Sequence, residues 1–189
     1  MIISPKDAIL NGWITHPDCK DYQDWVDRKF VSPNAIDFTL DSMNVVLPHS
    51  VAIIYEDERI HRMVTPNELT YNATCSKPDD RVTFDWWMLK EQTLYDCESK
   101  MYVTVPKNVM CTLVIRSTFA RNGIQLNSGI YDDGYVGYVG FTLFNRIGTT
   151  FTKPGTRVGQ IIFEQAMSEG SYAGHYSHSK DENWRNKSE

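Results

Sequence analysis

Eight short runs of β-branched and aromatic residues, separated by clusters of Pro, Gly, Asn and Asp, set the strongest limit on how this chain can fold. They are Phe38 to Leu40, Asn44 to Leu47, Val51 to Tyr55, Arg81 to Trp87, Lys100 to Val105, Met110 to Ile115, Tyr138 to Phe144 and Val158 to Phe163. Branched and ring side chains suit a pleated, half-buried surface, and the turn formers between them end each run after a few residues. No helical segments alternate with these runs, so a parallel α/β sheet is disfavoured and an all-β sandwich or barrel is expected. One short helix is expected ahead of the strands. Ser4 stands at its cap, Pro5 at the first helical position and Asp7 in the first turn, and Gly12 stops it.

With 189 residues, 41% of them hydrophobic, the chain suits a single domain, expected over 1–167. Residues 168–189 change character. Ser, Gly, His, Lys, Asp, Glu and Asn surround isolated Tyr172, Tyr176 and Trp184, the make-up of a tail or of a lid that orders on contact. The formal net charge of −5 leaves no broad basic face, which argues against a protein that coats nucleic acid. A small anion needs only a few local cations and amides, and stays open as a ligand. No apolar run approaches roughly 18 residues and no basic-then-apolar leader opens the chain, so no membrane contact is expected and the compartment expected is the cytoplasm. Cys19, Cys75, Cys97 and Cys111 are far apart with no C-x-x-C pair, so neither a zinc cage nor a disulfide framework is indicated. The zinc-dependent nucleobase deaminases are disfavoured as well, because no His-x-Glu with Pro-Cys-x-x-Cys occurs.

Four segments carry residue types suited to chemistry. Arg116-Ser117 follows the apolar run Val109 to Ile115, where a strand emerging into a loop offers amides, a hydroxyl and a guanidinium to a phosphate. A surface arginine closing a strand is the plain alternative. Asp132 lies in a turn made permissive by Gly129, Gly134 and Gly137, where a carboxylate can take a proton from water beside an electrophilic phosphorus. Asp132 and Asp133 are also ordinary turn formers. Tyr135 is either a ring to lie against a deoxyribose or a strand aromatic facing the core. Gly155 to Phe163 is a turn into an apolar strand interrupted by Gln160, which faces a ligand or solvent. Asp37 sits in the apolar run Asn34 to Phe38, where a carboxylate needs a partner, either a Lys or Arg or a water on a magnesium ion.

In combination and order, these segments resemble the dUTPase and dCTP deaminase superfamily. Asn34 to Phe38 is similar to its first motif, Arg116 to Ala120 to the second, Gly129 to Gly137 to the third and Gly155 to Phe163 to the fourth. The opening Met1 to Asp7 and the tail Tyr172 to Tyr176 resemble the deaminase branch. The resemblance implies a distorted jelly-roll β-barrel and a homotrimer with sites shared between neighbouring subunits. It also implies a deoxynucleoside triphosphate substrate, with magnesium held on its phosphates largely through water. By the same resemblance Asp132 is catalytic, and Arg116, Ser117, Thr118, Arg121, Gly129, Ile130, Tyr135 and Gln160 bind substrate. Asp37 is implied to touch magnesium-bound water, with no direct protein ligand to the metal.

The branch turns on one position. Deaminases of this family need a glutamate three residues before the Asn that ends the strand after the acidic turn; here that Asn is Asn145 and the glutamate's place is held by Thr142. A neutral hydroxyl cannot shuttle the protons that deamination requires. The run resembles the dUTPase pattern instead, which implies hydrolysis of dUTP to dUMP and diphosphate. A dCTP deaminase, a bifunctional deaminase–diphosphatase, a nucleotidase for another deoxypyrimidine and a non-catalytic nucleotide-sensing trimer are the alternatives. No Arg-Gly-Phe-Gly-Ser type of closing motif is present, and His175, Lys180 or Arg185 of the tail is expected to reach the phosphates in its place.

Overall fold

A computed structural model describes residues 1–55, 58–67, 69–70 and 86–172. The chain opens with helix α1 (Pro5–Leu10), strand β1 (Ile14–Thr15) and helix α2 (Tyr22–Asp27). Strands β2 (Ile36–Leu40), β3 (Ser42–Val46), β4 (Ile53–Tyr55), β5 (Glu58–Ile60), β6 (Val64–Pro66), β7 (Leu69–Thr70) and β8 (Trp86–Leu89) follow. The long β9 (Thr93–Thr104) and β10 (Val109–Ile115) lead into the one-turn helix α3 (Ser117–Arg121). Strands β11 (Ile124–Asn127), β12 (Val136–Asn145), β13 (Thr150–Thr152) and β14 (Thr156–Gln165) complete the order. The fold is all-β with a few short helices, as the strand-like runs imply.

Two larger sheets carry the architecture. One has the order β11-β12-β9-β3-β6, with β1 added to β9; the other has the order β10-β14-β2. Smaller sheets join β13-β8-β7 and β4-β5. Among the described residues these sheets do not close into a hydrogen-bonded ring, so the distorted barrel is a set of facing sheets. Phe38 of β2 meets Phe141 of β12 edge-on, with ring centroids 5.1 Å apart, across the space between the two larger sheets. Strict alternation buries Gly137, Val139, Phe141, Leu143 and Asn145 of β12 on one face, the two-residue period of a strand with one side in the core. All five residues of β2 are buried, because this strand is covered on both sides.

Local sequence explains most boundaries. In α1, Ser4 holds the cap position and Pro5 the first turn, but the Ser4 side chain makes no cap hydrogen bond; its carbonyl accepts from the Ala8 N–H instead. Helix α2 falls in the polar segment after Pro17, where the residue pattern implies no element. Asp21 caps it by accepting the Asp24 N–H, and Asp24 reaches back to the Lys20 N–H. Its buried Trp25 packs edge-on against His16 and Phe30, which fixes the helix to the core. Strand β9 begins at Thr93, well before Lys100, since Asp96, Glu98 and Lys100 alternate outward while Tyr95, Cys97 and Ser99 point inward. Of the expected strand Arg81 to Trp87, residues 81–85 lie outside the described residues, and β8 takes up Trp86 and Trp87.

Candidate active site

A β-bulge organises one half of the site. In the β14–β2 ladder Gln160 pairs with Asp37 and Gly159 with Phe38, but Arg157 pairs with Thr39, so Val158 has no partner of its own. Residues three apart on a regular strand face opposite ways. The extra residue brings Arg157 and Gln160 to the face that carries Asp37 and Thr39. Gly159 makes the bulge possible, since a Cβ there would run into the Phe38 ring and lie 2.9 Å from the Val114 carbonyl. The bulge also docks the second strand of its sheet, because the Arg116 N–H donates to the Val158 carbonyl at 3.0 Å.

Asp37 is the centre of that arrangement. It is 2% exposed, and both of its oxygens are engaged. Oδ2 accepts from Arg157 Nη1 at 3.1 Å and lies 3.4 Å from Arg116 Nε. Oδ1 accepts from Gln160 Nε2 at 2.8 Å and from the Ser32 hydroxyl at 3.4 Å. A carboxylate has about four lone-pair positions, and protein donors account for all of them. Of the two partners considered for Asp37, arginine is therefore the one beside it. Gln160 commits its other amide hydrogen to the Ser32 oxygen at 3.3 Å, so its amide faces inward onto Asp37. Both guanidiniums keep about a third of their side chains exposed, at 32% for Arg116 and 31% for Arg157. Two cations share one buried anion, and the surplus positive charge faces outward. Arg157 is absent from the residues read from sequence; the glycine inside an apolar strand at Gly159 is the signal for a bulge that would have found it.

The acidic turn forms the other half. The Tyr135 N–H donates to the Asp132 carbonyl at 3.0 Å, and Gly134 takes the left-handed conformation, φ +84°, that this turn requires. Its two aspartates have opposite environments. Asp133 is buried, accepts the Asn108 N–H at 2.8 Å and the Ser171 hydroxyl at 3.2 Å, and holds the Tyr172 N–H on its carbonyl at 2.6 Å. Asp132 is exposed, and no hydrogen bond to its carboxylate occurs among the described residues. Tyr135 turns inward: it is 8% exposed, donates its hydroxyl to the Tyr138 carbonyl at 2.9 Å and meets Tyr131 and Tyr172 edge-on. The ring folds over Gly137, where a Cβ would come within 2.6 Å of the Tyr135 hydroxyl. Burial raises the pKa values of the Tyr131 and Tyr135 hydroxyls and of the Cys111 thiol, with neighbouring hydroxyls and the Asp132 charge adding smaller pushes.

These halves sit at opposite ends of β10. Cys111 near its start bridges Tyr131, whereas Arg116 follows its last residue. Five steps of extended chain lead from Cys111 to Arg116, a span of roughly 16 Å. One chain therefore does not bring Asp132 to the Arg116 end. Ser117, Thr118 and Arg121 are exposed on α3, and Gly129 and Ile130 are exposed in the segment before the turn. Thr142 of β12 is half-buried, between Asn127 of β11 and Asp96 of β9. Residues 173–189, with His175, Lys180 and Arg185, lie outside the described residues; Ser171 and Tyr172 are docked on the turn.

Among the described residues no three His, Cys, Asp or Glu side chains form a group able to hold a metal, and no helix is long and apolar enough to cross a membrane. A magnesium ion carried on phosphate oxygens and water needs no protein cage.

The model of the dCTP deaminase-like family matches residues 18–166. A probable deoxyuridine 5'-triphosphate nucleotidohydrolase of Halobacterium salinarum is 24% identical over 151 residues, which cover 79% of this chain and 84% of that protein. A dCTP deaminase of Caldivirga maquilingensis is 30% identical over 76 residues, 40% of this chain and 42% of that one. Among solved structures, the 2'-deoxycytidine 5'-triphosphate deaminase of Agrobacterium tumefaciens superposes with a TM-score of 0.60 at 14% identity, over 87% of this chain and 48% of that chain, a likeness of fold. All four motif segments fall inside the matched residues, and the chain belongs to the dCTP deaminase-like family, within the superfamily of dUTPases and dCTP deaminases.

Proposed function

We propose that the protein is a dUTP diphosphatase whose sites form between neighbouring copies in a homotrimer. The observation that carries the reading is the exposed carboxylate of Asp132, on a turn that Asp133 holds rigid. Asp132 takes a proton from water, and the water oxygen bonds to the α-phosphorus. The bond from the α-phosphorus to the bridging oxygen breaks, and diphosphate leaves with that electron pair; dUMP remains. Arg116 and the Ser117 and Thr118 hydroxyls hold the phosphates, with Arg121 beside them. Magnesium, when bound, neutralises charge on the triphosphate. Backbone groups from Gly129 and Ile130 to Tyr135 face the base, and Tyr135 meets the sugar once Tyr172 is displaced.

The separation of Asp132 from Arg116 along β10 supports a shared site, since a second copy can supply the missing half. Hydrolysis is favoured over deamination because Thr142 offers no ionisable group. Deamination keeps one observation on its side, the carboxylate of Asp96 directly across the ladder from Thr142. Incubation with dUTP and magnesium, followed by separation of products, tests the proposal: dUMP and diphosphate are expected. Ammonia and dUTP formed from dCTP would make deamination the reaction.

A further inference from the structure

We infer that Arg157 is a positioning residue of the phosphate site: with Asp37 it fixes the Arg116 guanidinium in the orientation that meets a polyphosphate. The identity of the anion rests on the hydrolase reading above; the bracket itself rests on geometry. Arg157 Nη1 donates to the Lys29 carbonyl at 2.5 Å and to Asp37 Oδ2 at 3.1 Å, so one end of the chain's N-terminal segment, β2 and β14 are tied at a single guanidinium. Lys29 presents that carbonyl from a left-handed backbone, φ 59°. Arg116 is then held at three points. Its N–H donates to the Val158 carbonyl, its Nη1 to the Arg157 carbonyl at 3.4 Å, and its Nε faces Asp37 Oδ2.

A flexible arginine on a strand end loses side-chain entropy when it binds an anion. Here that cost is met by the fold, because Asp37 and the bulge already restrict the side chain. Asp37 is too buried to meet a ligand, so its charge serves the two arginines and not the solvent. Both arginines touch the same carboxylate oxygen, so removing either lets the other swing onto Asp37 and away from the exposed face. Arg157 thus acts through Arg116, and the two substitutions should not add.

Calorimetric titration of inorganic tripolyphosphate into the full chain tests this. The proteins are the wild type, Arg116→Ala, Arg157→Ala and the double variant. Each single change is expected to weaken binding about tenfold, as for loss of a charge-assisted contact. The double variant is expected within about twofold of Arg116→Ala, the mark of residues acting as one unit. Losses that simply add, or an Arg157→Ala protein that binds as tightly as the wild type, overturn the inference. So does a wild type that takes up no tripolyphosphate. If Arg157→Ala does not fold, Arg157→Lys replaces it under the same criteria, since a single ammonium cannot reproduce the planar fork between Lys29 and Asp37. The probe has neither base nor sugar, so failure to hydrolyse dUTP would refute the proposed reaction and leave the bracket standing.

Discussion

Cys111 and Tyr131 exchange both backbone hydrogen bonds, each 2.9 Å long. The bridge ties the acidic turn to the start of β10, while Arg116 stands beyond the strand's other end. Strands are stiff over a handful of residues, so this distance is built into the fold and is not closed by a loop movement within one chain.

The adjacent aspartates of the turn should separate stability from turnover. Asp133→Ala strands the Asn108 N–H and the Ser171 hydroxyl and leaves the start of the tail held by the Tyr172 N–H on the residue 133 carbonyl alone among its bonds to the turn. It should cost about 2–3 kcal/mol in chemical denaturation. Asp132→Asn touches an exposed side chain and should change stability by less than about 0.5 kcal/mol while removing dUTP hydrolysis. Full activity of Asp132→Asn would refute the role given to that carboxylate.

Gly159→Ala should destabilise the protein by about 2–4 kcal/mol, because the added methyl meets the Phe38 ring and the Val114 carbonyl on strands that cannot part. Thermal denaturation checks it. A Tm equal to the wild type's would mean the bulge has slack.

His16 links stability to pH. Burial lowers its pKa from 6.5; Arg28 and Lys100 push it the same way, while Asp18 and Asp41 oppose. Its Nδ1 accepts the Asp18 N–H at 3.1 Å, so the neutral ring carries its proton on Nε2. As pH falls below the ordinary histidine value, the unfolded chain protonates first. Stability is therefore complete above about pH 6.5 and declines as pH drops through the lowered folded value. His16→Gln should flatten the fall in Tm between about pH 7.5 and about pH 5. Identical slopes for the two proteins would exclude His16 as the source.

Tyr135→Ala should relax discrimination against UTP, measured as the ratio of kcat/KM for dUTP and UTP. An unchanged ratio would leave the ring a purely structural group, in keeping with its burial beneath Tyr172.

Much of this fold was legible in the sequence where both strand faces are apolar, as in Met110 to Ile115 and Val158 to Phe163. The first half of β9 was not, because Asp96 and Glu98 alternate with Tyr95 and Cys97 and dilute the strand signal. Helix α2 is too short and polar to show a period; only Asp21 and Asp24 mark its start. Within the candidate site, the sequence could place Arg116, Asp132 and Gln160 in motifs but could not orient them. The inward turn of Gln160 depends on a bulge that arises from contact between Gly159 and Phe38, residues of different strands. The division of labour between Asp132 and Asp133 likewise comes from Asn108 and Ser171, which no local pattern links to the turn.

Complementation between two inactive chains addresses the shared site most directly. Arg116→Ala and Asp132→Asn proteins are co-expressed and assayed for dUTP hydrolysis together and apart. If Asp132 of one copy serves the phosphates held by another, each mixed trimer regains about one site in three, and the equally mixed population about a quarter of the wild-type sites. Mixed assemblies as inactive as either variant alone would contradict a site built across copies.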